Sequence, residues 1–165
     1  MDWRKFRKLL EDQYDVSKAY MFIGYLPENE GLYEQMHSAG YSVVLKPTFD
    51  MTKPQVEAVH NSLSSEHEDK KPVKGNIDAE LVLWAMKELS NYDKAIIVSG
   101  DGDFYCLVEY LEEKGRLLHV LTPTERYSHL YNRYEDYIVR LDSFRRQLAY
   151  HDRRNGLPGS RKPGR

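Results

Sequence analysis

Apolar positions Trp3, Phe6, Leu9 and Leu10, followed by the Gln13–Tyr14 pair, recur at helical spacing, which predicts an amphipathic helix over 3–14. Residues 18–24 (KAYMFIG) are rich in aromatic and β-branched side chains and end at a glycine, which predicts a strand. A helical pattern over 28–38 is stopped by Gly40, and a second strand, 41–46 (YSVVLK), is stopped by Pro47. Residues 47–75 break this rhythm. They contain the polar run SLSSEHEDKKP and predict a long loop with one short helix over Pro54–Leu63; a loop of this length suggests function or disorder. Alternation then resumes: a helix over 77–89, a strand at 94–98 (KAIIV), a helix over 104–114 ended by Gly115, and a strand at 116–121. A short helix near 125–133, a strand at 137–141 and a last helix near 142–150 complete the pattern. Strands and helices alternating in this way predict an α/β domain with a mainly parallel sheet.

In such a sheet the strand C-termini and the following helix N-termini share one edge, and ligands bind there. That edge is predicted to carry Glu28 and Asn29, Lys46, Lys74 to Asp78, Ser99 to Asp103, and Thr122 to Glu125. Asp15, Asp93 and Asp136 precede strands and belong to the far edge. The sharpest segment is Ile97-Val98-Ser99-Gly100-Asp101-Gly102-Asp103-Phe104, an apolar strand running into two carboxylates. Gly100 and Gly102 let the backbone turn tightly, so both carboxylates can point into one volume. Two close carboxylates repel, and a hard cation such as Mg2+ or Mn2+ relieves the repulsion. The plainer reading is a Gly-Asp-Gly turn with Asp103 as the helix N-cap. In Lys74-Gly75-Asn76-Ile77-Asp78-Ala79-Glu80, Asn76 suits an N-cap and puts Asp78 in the first helical turn. An acidic residue there is favoured by the helix dipole alone. Glu80 lies about 200° around the helix from Asp78, so the two do not face one site. The helix leads into the strand ending at Asp101, which brings Asp78, Asp101 and Asp103 to one edge, where Lys74 could hold a phosphate beside them.

Charge is unevenly spread. Residues 145–165 carry seven Arg or Lys against one Asp, a net +6, which leaves −8 on the rest of a chain whose total is −2. An acidic body does not suit a general polyanion binder, but an acidic metal site with a basic tail suits phosphodiesters. The plainer reading of 151–165, rich in Gly and Pro, is a solvated flexible tail behind a domain over 1–150. No stretch is long and apolar enough to span a membrane, and the charged N-terminus is not a signal peptide. Cys106 is the only cysteine, which points to a reducing, cytoplasmic setting; its apolar neighbours predict buried filler. The six histidines show no zinc spacing, and no phosphate-binding glycine loop or nucleophile elbow is present. The 13 tyrosines permit base stacking, and tyrosine-rich helices permit a homodimer without requiring one.

With Lys74-Gly75-Asn76-Ile77-Asp78 and Ser99-Gly100-Asp101-Gly102-Asp103-Phe104 in this order, the chain resembles the NYN family, LabA-like members of the PIN-like nuclease superfamily. The strand–helix–strand at 19–47 (AYMFIGYLPENEGLYEQMHSAGYSVVLKP) is similar as well, and the resemblance covers roughly residues 5–142. It implies a Rossmann-like, three-layer PIN-like fold and an acidic pocket for Mg2+ or Mn2+. It also implies metal-dependent hydrolysis of RNA. Asp78, Asp101 and Asp103 would be the metal-site acids, with Ser99 beside them. The family opens with a strand bearing an aspartate, ahead of the helix matching 3–14; that strand is expected in the sheet centre, beside 94–98, and has no counterpart in this sequence. Two other readings stand beside the ribonuclease. One is a non-catalytic RNA- or protein-binding regulatory module on the same fold; the other is a metal-dependent phosphatase.

Overall fold

A computed structural model describes residues 1–47 and 77–150 of the chain. The short helix expected over Pro54–Leu63, the Lys74–Asn76 stretch and the tail at 151–165 lie outside the described residues.

Helix α1 spans Trp3–Tyr14. The Asp2 carboxylate caps it by accepting the N–H groups of Arg4 at 3.0 Å and Lys5 at 3.2 Å. Asp15 closes it in the left-handed conformation, φ 54°. The stripe read from the sequence is the face that packs: Phe6, Leu9 and Leu10 are buried, each worth roughly 1.5–3 kcal/mol. Strand β1 (Tyr20–Tyr25) follows, then a single turn at Pro27–Asn29, helix α2 (Glu30–Ser38) and strand β2 (Ser42–Pro47). β1 and β2 pair in parallel from Tyr20 opposite Ser42 to Tyr25 opposite Pro47. After the undescribed stretch come helix α3 (Asp78–Lys87), strand β3 (Ala95–Ile97), helix α4 (Tyr105–Glu113), and strands β4 (Leu117–Thr122) and β5 (Ile138–Arg140). β4 pairs in parallel with both β3 and β5.

Alternation along β4 sends successive side chains to opposite faces. Val120 joins Ile97, Leu107, Val108, Leu111, Leu117, Tyr131 and Tyr134 on one side. Leu121 joins Phe6, Leu9, Leu10, Tyr41, Leu141 and Leu148 on the other. Helices on both faces of parallel strands give the expected α/β architecture.

Several expectations are corrected. The sheet is not continuous among the described residues: β1–β2 form one parallel pair, β3–β4–β5 a separate parallel trio, and no ladder joins β1 to β3. The helix near 125–133 is a 3-10 run over His129–Tyr137, kinked at Tyr134. The last helix, near 142–150, reduces to a 3-10 turn at Leu141–Phe144. Local side-chain bonds compete with helix formation there: Arg140 grips Asp142 through two hydrogen bonds (3.0 and 2.7 Å), and Ser143 Oγ donates to the Arg140 carbonyl at 2.6 Å. Helix α3 starts one residue later than Asn76 would set it, because the Ile77 carbonyl accepts the first intrahelical bond, from Leu81 at 3.2 Å. Cys106 is exposed rather than buried; α4 buries Leu107, Val108 and Leu111, and position 106 falls outside that face. Among the described residues no helix is long and apolar enough to cross a membrane.

Candidate metal and phosphate site

Beyond β3 the chain runs through Ser99 to Asp101, whose backbone is extended, then turns at Gly102–Phe104 into α4. Two side-chain bonds shape this turn. Ser99 Oγ accepts the Asp101 N–H at 3.1 Å, and Asp101 Oδ1 accepts the Asp103 N–H at 3.1 Å. Asp101, rather than Asp103, is therefore the capping residue. One Asp101 oxygen is engaged in this bond, and both aspartates are exposed at the sheet edge.

The segment after β4 pins the turn from the side. The Ser128 N–H donates to the Gly100 carbonyl at 2.9 Å, and the Tyr131 hydroxyl donates to the Asp101 carbonyl. This close crossing accounts for the two glycines. A β-carbon at Gly100 would lie 3.3 Å from Tyr127 Cβ; one at Gly102 would lie 2.5 Å from Ser128 Oγ and 3.1 Å from a Leu130 methyl. Neither glycine has a positive φ, so their role is close approach, not the tight turn their sequence position suggests. Tyr131 is fully buried. Burial, with the Asp101 and Asp103 charges adding to it, pushes its phenol up to about 12. Tyr131 thus stays a neutral donor to the turn at ordinary pH.

Asp78 is the first residue of α3, half-buried, and α3 touches the 102–104 turn. Glu80 turns away, as its position on the helix requires, and pairs with Lys46 of β2 at 3.0 Å. Asp101 and Asp103 thus come together on one turn, with Asp78 on the neighbouring helix. Among the described residues no group of three or more Asp, Glu, His or Cys is close enough to hold an ion as it stands. The donor chemistry nonetheless fits Mg2+ or Mn2+: hard, exposed carboxylate oxygens, for ions that commonly keep several waters and bind through one or two carboxylates. Lys74 lies outside the described residues.

Sequence reasoning missed Tyr127, Ser128 and Tyr131, which brace the turn from outside any motif. The Ser128 capping pattern ahead of His129, with Oγ accepting the Leu130 N–H at 3.3 Å, was the one local signal available. Thr122, at the end of β4 on the same edge, is fully buried, and its hydroxyl has no hydrogen-bond partner among the described residues.

The family model of the NYN domain matches residues 1–142. The crystal structure of VPA0982 from Vibrio parahaemolyticus RIMD 2210633, a protein of unknown function, is similar with a TM-score of 0.58 at 24% identity. The match covers 86% of this chain and 78% of that one, and at this identity it speaks for the fold alone. A search of curated proteins finds no match.

Proposed function

Since the chain belongs to the NYN domain family and so to the PIN-like nuclease superfamily, we propose that it is a metal-dependent ribonuclease. The observation that carries this reading is the Asp101–Asp103 turn, exposed at the C-terminal edge of parallel strands and braced from behind by Tyr131 and Ser128. In this reading Asp101 and Asp103 hold Mg2+ or Mn2+, with Asp78 on the same edge. When bound, the ion supplies Lewis acidity toward water and the scissile phosphate. Ser99 and Lys74 contact substrate phosphate, and the arginines after residue 145 neutralise flanking phosphates. Tyr131 keeps the Asp101 backbone fixed, which preserves the spacing of the two carboxylates.

The test is manganese binding by calorimetry, together with cleavage of single-stranded and structured RNA. The parent and an Asp101→Asn, Asp103→Asn variant are compared. Binding and cleavage in the parent, both lost in the variant, are expected. RNA left intact by a manganese-loaded parent removes the nuclease reading. Because among the described residues no group of three or more Asp, Glu, His or Cys could hold an ion as it stands, a non-catalytic RNA- or protein-binding module is the second reading. RNA binding that persists in chelator and in Asp101→Asn would favour it.

A further inference from the structure

Charges near the Asp101 turn are compensated unevenly. At the end of β5, Arg140 is held by two carboxylates, Asp142 at 2.7 Å and Glu125 at 3.5 Å. On α4, Glu109 is held by Arg133 at 3.0 Å. Arg126, in the connection after β4, is different. Its side chain is exposed and makes no hydrogen bond or ion pair with the described residues, Asp101 and Asp103 included. Its neighbour Glu125 is drawn to Arg140 instead.

The backbone that carries Arg126 is nevertheless fixed on both sides. Before it, Thr124 Oγ1 accepts the Arg126 N–H at 3.2 Å. After it, Tyr127 lies against Gly100: a β-carbon built there would sit 3.3 Å from Tyr127 Cβ and 3.6 Å from Tyr127 Cα. The Ser128 N–H then donates to the Gly100 carbonyl at 2.9 Å. Tyr127 is half-buried and packs against the cluster of Ile97, Val120 and Tyr131, which anchors the loop at this place. The Arg126 Cα is only about 3.8 Å from that of Tyr127, so the base of a long cationic side chain stands beside the residue preceding Asp101.

We propose that Arg126 grips the phosphate next to the scissile one and so sets where an RNA strand lies across the Asp101–Asp103 turn. The proposal rests on the nuclease reading and adds to it the residue that positions the strand. The body of the chain is acidic, so a polyanion approaching two exposed aspartates needs a local cation. The guanidinium offers a planar fork of donors that matches two phosphate oxygens. Because it pairs with neither Asp101 nor Asp103, it stands beside the ion-binding oxygens rather than among them, and takes a flanking phosphate rather than the reacting one. Arg140 would have to give up two ion pairs to do the same. Holding the loop in advance limits the ordering that binding costs.

The test is cleavage of a single-stranded RNA in manganese by the full chain at stepped salt. Parent, Arg126→Gln and Arg126→Lys are compared. In Arg126→Gln, KM should rise about tenfold for one lost charge-assisted contact, with kcat essentially unchanged. The slope of log(1/KM) against log salt should become shallower by about 0.7, the share of one phosphate on a single strand. Arg126→Lys keeps the charge but not the fork, so it should restore the slope and only part of KM. Manganese affinity by calorimetry and the thermal midpoint should match the parent in both variants, since the side chain touches nothing in the described fold. An unchanged KM or slope in Arg126→Gln overturns the proposal and leaves the nuclease reading standing. So does a slope that lysine fails to restore, or a loss confined to kcat or to manganese affinity, which would put Arg126 at the ion. A manganese-loaded parent that leaves RNA intact removes the nuclease reading and this inference with it.

Discussion

A β-carbon added at Gly102 would lie 2.5 Å from Ser128 Oγ, so either the serine or the turn must shift to admit it. Gly102→Ala is expected to cost about 1–3 kcal/mol in urea unfolding, as overpacking does. Shortening the obstacle in a Gly102→Ala, Ser128→Ala double variant should recover part of that loss. Thr122 predicts the opposite sign. Its buried hydroxyl has no partner among the described residues, so the isosteric Thr122→Val should be neutral or stabilising by about 1 kcal/mol. A clear loss of stability in that variant would mean that the hydroxyl has a structural partner. Tyr41 gives the molecule a pH dependence. Its hydroxyl donates to the Trp3 carbonyl at 3.0 Å, and burial pushes its phenol from 10.0 up to about 12, against the opposing pull of Arg7. Because the folded value is the higher one, the stability linked to Tyr41 is fully present below pH 10 and is lost as pH rises toward about 12. Tyr41→Phe should flatten that alkaline decline, measured as the urea midpoint at stepped pH. Of these residues only Gly102 and Thr122 were singled out by the sequence. Tyr131 looks like any other loop residue until the fold sets it beside Asp101, and the sequence, which places Thr122 on the edge, does not show that its hydroxyl is buried.

At the scale of elements, periodicity was a good guide wherever one face is buried and the other wet. Helix α1 begins and ends where its stripe of Phe6, Leu9 and Leu10 places it, and Asp2 is a cap the chemistry of the side chain favours. Asp2→Ala should cost about 1 kcal/mol, read from the urea midpoint, because two backbone N–H groups lose their acceptor. The pattern failed at the end of the domain. Leu141, Phe144 and Leu148 have helical spacing, but Leu148 is held in the α1 core by the bond from the Asp2 N–H to its carbonyl at 2.8 Å. With Arg140 and Ser143 tied locally, the segment wraps α1 instead of continuing as a helix.

For the whole molecule, alternation of strand and helix determined the α/β class, the parallel sense of the strand pairs among the described residues, and the edge on which Asp78, Asp101 and Asp103 sit. Those features follow from local chemistry: side-chain period, glycine and proline stops, and short connections that leave few topologies open. The paired motifs also sufficed to point to the NYN family. What only the tertiary structure decided is how separate segments meet. The sequence cannot show that the 127–131 segment crosses the Asp101 turn closely enough to require glycine, or that Cys106 faces outward. Nor can it show that α1 and α3 each pack against both β1 and β3, strands that no ladder joins among the described residues. Each of these depends on which residues far apart in the chain compete for the same volume and the same backbone partners, and that competition is resolved only when the chain packs.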